Sequence, residues 1–267
     1  NLKTVYPINI FSMTHSNIYP YFFRYIPLLL ISLFLSCAAE QQQPIRALLI
    51  TGGGWHDYET QEGLLTEGIS ERLGDRIEWT IVHEGDGEPD YHASILKEEN
   101  WAAGYDVVVH NTGFGRVTDS EFVANFVEHH IGTPAVLIHA SVHSYRYAEP
   151  ADPWFEFMGF QSMRHEDQRE FEVENVAPEH PIMKDFPDVW LSPVDEVYVM
   201  EKIWGEITPL ARAYGVDTEE YHTISWTHEI EDTRVFVTTL GHNNETFERE
   251  EYLDKITNGL LWAVDEL

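Results

Sequence analysis

Cysteine is almost missing from these 267 residues: a single copy, Cys37, closes an apolar run near the start, and none follows it. Disulfides, cysteine-ligated zinc and thiol catalysis are thereby excluded from everything downstream. Basic residues are scarce too, with 16 Lys plus Arg against 46 Asp plus Glu and a formal net charge of −30. No Lys/Arg run offers a surface that could track phosphates, so nucleic acid is excluded as a partner. The same field repels phosphorylated or carboxylated ligands unless a local cation intervenes, which makes a neutral ligand the simpler expectation. The serine-hydrolase elbow GxSxG and the zincin HExxH are both absent. The glycines at 52–54 form neither GxGxxG nor a phosphate loop, since no lysine follows them. What is abundant is core material: 43% of all residues are hydrophobic and 13% of all residues are aromatic, enough for a sizeable interior.

The apolar run at 26–36, IPLLLISLFLS, follows Arg24 and precedes Cys37-Ala38-Ala39 and a polar QQQP. This is the charge, apolar core and small-residue order of a secretory signal, and it is shorter than the roughly 18 residues that span a bilayer. Ser36 before Cys37 resembles the lipobox of bacterial lipoproteins. The expected organisation is a signal peptide over 1–37, a tether over 38–44 and a folded domain over 45–267. Cys37 is then the lipidation site, which leaves the domain exported and anchored by lipid to a bacterial membrane, in the periplasm or at the cell surface.

Within the domain, apolar runs alternate with helical patterns. IRALLIT (45–51), RIEWTIV (76–82), YDVVVHN (105–111) and TPAVLIHA (133–140) read as strands, with a helix over 59–73 and another opened by the capping box at 118–121. Strands apolar on both faces that alternate with helices predict a parallel sheet covered on both sides. The second half is richer in strands: 169–176, 195–200, 209–215, and a hairpin-like pair at 222–229 and 233–241, before a closing helix over 248–265. One α/β domain with a β-rich C-terminal portion is the expected architecture.

In open parallel sheets ligands bind beyond the carboxyl ends of the strands. Those ends carry TGGGWHDY (51–58) with His56, His110 on the third strand, HASVHSY (139–145) with His139 and His143, and LGHNNETF (240–247) with His242. Four strands are thus expected to bring a histidine to one edge, with Asp195-Glu196 the best-placed carboxylate pair. Any one of these histidines alone is more simply a structural residue; their shared placement is what singles them out. His129, His130 and His165 are expected at the surface. Gly53, Gly54, Trp55, Asp57, Tyr145, Tyr198, Trp226 and Asn243 are the expected substrate-binding positions, the aromatic rings offering flat faces for a sugar. Trp79, Trp190 and Trp262 are assigned to the core.

Taken in order, LLITGGGWHDY (48–58), AVLIHAS (135–141), EHPIMKDFP (179–187), DEVY (195–198), RVFVTTLGHNNETF (234–247) and GLLWAV (259–264) resemble the ThuA-like, trehalose-utilisation family. The resemblance spans about 45–265. It implies the flavodoxin-like α/β fold of class I glutamine amidotransferases, mostly parallel with helices on both faces. In that superfamily the nucleophilic cysteine follows a central strand; here PAVLIHA offers His139 or Ala140, so amidotransferase activity is not implied. What the resemblance implies instead is sugar or glycoside catabolism. A hydrolytic or eliminative step on a glycoside or 3-keto glycoside would need a base, for which His56 or His139 is available, and a partner in Glu196 or His242. Two or three imidazoles with a carboxylate could instead hold a divalent metal. A non-catalytic carbohydrate-binding or scaffold protein is the alternative.

Overall fold

The computed structural model describes residues 43–267. The expected signal, its lipobox at Cys37 and most of the tether lie outside the described residues. None of the described helices is long and apolar enough to cross a membrane.

Eight of the nine expected strands lie in one nine-stranded sheet, whereas the run at 195–200 enters a separate ribbon at Tyr198. The parallel core of the sheet is β2 (Ile77–His83), β1 (Ile45–Gly53), β3 (Val107–Gly113), β4 (Ala135–Ile138) and β11 (Thr233–Thr238), in that spatial order. This is the flavodoxin-like order, and the order in which the chain adds strands reverses between the parallel neighbours β1 and β3, where such folds open a ligand crevice. Beyond β11 the sheet continues antiparallel through β10 (Glu220–Ile230), β9 (Ile207–Gly215), β6 (Glu172–Asn175) and β7 (Val189–Leu191). The β-rich second half is therefore an extension of the same sheet. A separate two-stranded ribbon pairs β5 (Phe160–His165) with β8 (Tyr198–Ile203).

Strand alternation divides the interior into two cores. Ala47 and Leu49 of β1 face α1 (Tyr58–Leu73) and α5 (Glu250–Ala263), burying Leu65, Ile69, Tyr252 and Ile256. Leu48 and Ile50 face α2 (Ser120–Glu128) and α3 (Asp152–Met158), with Phe126, Trp154 and Phe157. A short helix α4 (Asn244–Phe247) follows β11. The α3, β5, β7 and α4 segments have no counterpart in the sequence reading; each is at most seven residues, too short to show a period. The cap of α2 is Asp119, whose carboxylate accepts from the Phe122 amide at 3.0 Å, one residue later than the capping box at Thr118 predicts.

The same alternation corrects the placement of His110. It shares the face of Val108, is fully buried, and points away from the sheet edge at His130, with their Nε2 atoms 3.0 Å apart. His130 is likewise buried beneath Trp101 and Phe157, so it is not a surface residue.

Candidate functional site

Glycine lets β1 and β3 approach at the edge. Gly53 has φ +115° and a Cβ there would fall 2.6 Å from the Gly113 carbonyl carbon, while a Cβ on Gly113 would fall 2.2 Å from the Tyr58 hydroxyl. The Gly54 amide donates to the Gly113 carbonyl at 3.1 Å, and the chain then turns through Trp55 at φ +75°. His56 is delivered inward by this turn. On the central strand, β4 ends in a single 3-10 turn that opens with His139 at φ +45°, a left-handed conformation costly for a residue with a Cβ. After β11, Gly241 at φ +125° turns the chain to present His242.

Three strand ends thus converge. His56 Nε2 lies 3.1 Å from His139 Nε2 and 3.2 Å from His242 Nδ1. Glu196 closes the group, 3.2 Å from His242 Nδ1 through Oε1 and 3.6 Å from His139 Nε2 through Oε2. Neighbours fix the imidazoles: His139 Nδ1 donates to the Thr239 carbonyl at 2.6 Å, and His56 Nδ1 to the Gly54 carbonyl at 3.1 Å. Buried Asp195 holds the loop beneath, accepting from the amides of Glu196, Gly241 and His242 and from the Thr246 hydroxyl.

Burial sets the charges. Desolvation, reinforced by His139 and His242, holds His56 down to about 2, and desolvation also lowers His139 and His143. Burial alone would raise Glu196, but the hydrogen bond to His242 and the nearby imidazoles bring it down to about 2. For His242 burial again works downward, and the Glu196 and Asp195 carboxylates outweigh it and raise the group. Near neutral pH the arrangement is a carboxylate beside one readily protonated imidazole and two neutral ones.

A cavity of about 400 Å³ opens over the group. Trp55, His56, His143, Glu196, Tyr198 and His242 line it, whereas His139 sits behind His56 and His242 with 1% exposure. Trp55 is 55% exposed and stands as the aromatic wall. Tyr198 is buried, stacks on His143 at 3.8 Å and brings its hydroxyl to 3.4 Å from His139 Nε2.

Other expected contacts are corrected. Trp226 is fully buried and donates its indole N–H to the Met158 carbonyl at 2.7 Å, so it belongs to the core. Tyr145 is equally buried, among Phe126 and Trp154. Asp57 caps α1 through the Thr60 amide and accepts from Asn244, and Asn243 donates to the Val194 carbonyl at 2.9 Å; neither lines the cavity. Gly53 acts through backbone approach, and Gly54 through its carbonyl on His56.

Three cavity residues escaped the sequence reading. His165, expected at the surface and 41% exposed, reaches Glu196 at 3.4 Å. Gln168 brings its amide to 2.8 Å from His242 Nε2. Arg146 donates to the Met163 carbonyl at 3.0 Å and forms no carboxylate ion pair among the described residues. The β5–β8 pairing sets His165 opposite Tyr198, and the bridge between Arg169 and Asp195 brings Gln168 alongside. Neither pairing leaves a local signal in the chain.

Residues 46–263 match the model of the family described as ThuA, trehalose utilisation. No curated protein matches the chain significantly. Among solved structures, a ThuA-like protein from Parabacteroides merdae ATCC 43184 superposes with a TM-score of 0.64 at 19% identity, covering 83% of this chain and 90% of that one. A ThuA-like protein from Bacteroides uniformis ATCC 8492 gives 0.61 at 16% identity, covering 83% and 92%. A β-galactosidase from the Antarctic haloarchaeon Halorubrum lacusprofundi gives 0.53 at 11% identity, covering 83% of this chain but 30% of that one. At these identities the likeness to solved structures carries the fold alone.

Proposed function

The chain belongs to the ThuA, trehalose-utilisation family; from that membership we propose that it is an enzyme that cleaves glycosides, with 3-keto glycosides as the preferred substrates, and from the order of Arg24, apolar run and Ser36-Cys37 that it is exported and lipid-anchored. The observation that carries this reading is the convergence of His56, His139, His242 and Glu196 beneath one sugar-sized cavity. A carbonyl at C3 of a sugar acidifies the C2–H bond. Glu196, ionised and lining the cavity, takes that proton, and the C–H electron pair passes into the C2–C3–O enolate. Arg146, the cavity cation without a carboxylate partner, faces the oxyanion that develops. As the enolate collapses, the C1–O bond breaks, C1=C2 forms, and the departing alkoxide takes a proton from His242. Water then adds across the new double bond, and the net reaction is hydrolysis.

This assignment moves the base from the imidazoles to the carboxylate. His139 stands behind the lining, and His56 has Nδ1 against the Gly54 carbonyl and Nε2 turned toward His139 and His242, whereas Glu196 lines the cavity as an anion. Trp55 supplies the apolar face for a sugar ring. The test is incubation of the purified protein with 3-keto and unoxidised disaccharides. Release of free sugar from the keto substrates alone, lost in Glu196→Gln, is expected. Tight binding without conversion would replace the enzyme with a carbohydrate-binding protein, and no binding at all would overturn both. For the anchor, mass spectrometry of the membrane fraction should find a lipidated Cys37 at the mature N-terminus. An unmodified thiol or a different N-terminus would refute it.

A further inference from the structure

The feature of the site that proton transfer leaves unexplained is the facing pair His56 Nε2 and His139 Nε2. His139 has its Nδ1–H committed to the Thr239 carbonyl, while His56 Nδ1 lies 3.1 Å from the Gly54 carbonyl and 3.0 Å from the Tyr58 hydroxyl. With the His56 Nδ1–H on the Gly54 carbonyl, both Nε2 atoms are acceptors, yet they stand 3.1 Å apart. Two lone pairs at hydrogen-bond distance repel unless a cation lies between them. A third nitrogen, His242 Nδ1, is 3.2 Å from His56 Nε2, and ligand atoms of the three rings all lie within 4.8 Å of one another. Nitrogens bound to zinc at about 2.0–2.1 Å in tetrahedral geometry stand roughly 3.3 Å apart. Two of the three edges, 3.1 and 3.2 Å, match that spacing, and the third lies within 4.8 Å.

We propose that His56, His139 and His242 ligate a divalent first-row metal ion, zinc foremost, with the Glu196 carboxylate beside it as the balancing charge. The donor set fits: three imidazoles and one carboxylate suit zinc and its first-row neighbours rather than magnesium or calcium, which take oxygen. The surroundings fit as well. Carbonyl acceptors on the distal nitrogens of His56 and His139 fix the tautomers a metal requires. Gln168 turns its amide NH2 to 2.8 Å from His242 Nε2 and 3.4 Å from Glu196 Oε1, and would fix the third ring in the same way only with the amide reversed. His56 and His242 line the cavity, so the ion would have one side open to a ligand. The proposal rests on the catalytic reading and amends it: an ion there would polarise the sugar carbonyl as a Lewis acid, and His242, neutral as a ligand, would leave protonation of the alkoxide to water.

Metal content tests it without any sugar. The full chain, free of an affinity tag, is stripped with chelator and titrated with zinc, cobalt, nickel and manganese, followed by elemental analysis. One ion per chain is expected, with a visible ligand-field absorption for cobalt. His56→Ala and His242→Ala should weaken binding by about tenfold or more. His143→Ala, which removes a cavity imidazole bonded to Ser162 rather than to the group, should leave it unchanged. Circular dichroism confirms that each variant folds. Uptake of none of the four ions, or equal affinity in His56→Ala and His242→Ala, overturns the proposal. A protein that binds the ion and converts no glycoside keeps the metal site and loses the catalytic reading, whereas cleavage by the stripped protein keeps the catalytic reading and removes the ion's part in it.

Discussion

Asp195→Asn is isosteric, and the hydrogen-bond pattern predicts that it is nonetheless severe. Asp195 is fully buried, and every hydrogen bond to its side chain comes from a donor. Oδ1 accepts from the amides of Glu196 at 2.9 Å and His242 at 3.2 Å; Oδ2 accepts from the Gly241 amide at 2.9 Å and the Thr246 hydroxyl at 2.8 Å. An asparagine must place its NH2 at one of these positions. At Oδ2 the Thr246 hydroxyl can rotate to accept, but the Gly241 N–H cannot, and it is left unpaired against another donor. At Oδ1 two backbone N–H groups are stranded. A buried donor without a partner costs about 1–3 kcal/mol, and the remaining bonds lose their charge assistance. The expected loss is about 2–4 kcal/mol, against about 1 kcal/mol for Thr246→Val, which removes one bond. Urea denaturation at neutral pH with an unchanged m-value measures both. Because Gly241 and His242 hang from this carboxylate, Asp195→Asn should also impair glycoside cleavage while the domain remains folded. A stability within about 0.5 kcal/mol of the parent, the range of an ordinary surface change, would refute the reasoning.

Three further outcomes follow from the same geometry. His130 is held at about 4 by burial and pairs with His110, so the unfolded chain binds its proton first; stability is complete above pH 6.5 and falls as pH drops toward 4. His130 contributes about 3 kcal/mol of that loss, and because other buried histidines, His110 among them, add to it, denaturation at both ends of that window should show a shallower fall in His130→Phe than in the parent, equal slopes counting against it. Gly113→Ala, whose Cβ would meet the Tyr58 hydroxyl at 2.2 Å and the Gly54 carbonyl oxygen at 2.7 Å, should cost about 1–3 kcal/mol by overpacking, read as a lowered denaturation midpoint. The two tryptophans should separate: Trp226→Ala, emptying a fully buried site, costs about 3–5 kcal/mol. Trp55→Ala, 55% exposed at the cavity, leaves stability within about 0.5 kcal/mol and weakens sugar binding in calorimetry; equal effects on both would contradict the assignment.

The parallel half of the fold was legible in the chain because its strands are long aliphatic runs set between helical periods, and both signals are local. The runs at 45–51, 133–140 and 233–241 correspond to β1, β4 and β11, and strand-end placement singled out His56, His139 and His242 before any geometry was known. Facing direction was less legible. His110 looked like a fourth edge histidine, but the two-residue alternation of β3 turns it onto the α2–α3 side, and the strand's last residues extend beyond it to Gly113. Trp226 and Tyr145 failed for a related reason: an aromatic ring near a strand end looks the same in sequence whether it fills the core or walls a cavity.

Sequence alone determined the residue types available for chemistry, excluding thiols and admitting histidine and carboxylate, because composition is independent of folding. It also determined the sheet's parallel core, since hydrophobic periodicity acts over neighbouring residues. Only tertiary structure decided which groups meet. Glu196 reaches His242, His165 reaches Glu196 and Gln168 reaches His242 across separations of 46, 31 and 74 residues, through strand pairing and a buried aspartate that leave no local pattern. The charge of each group was decided there as well, because desolvation and neighbouring charge are properties of the packed site and not of the chain.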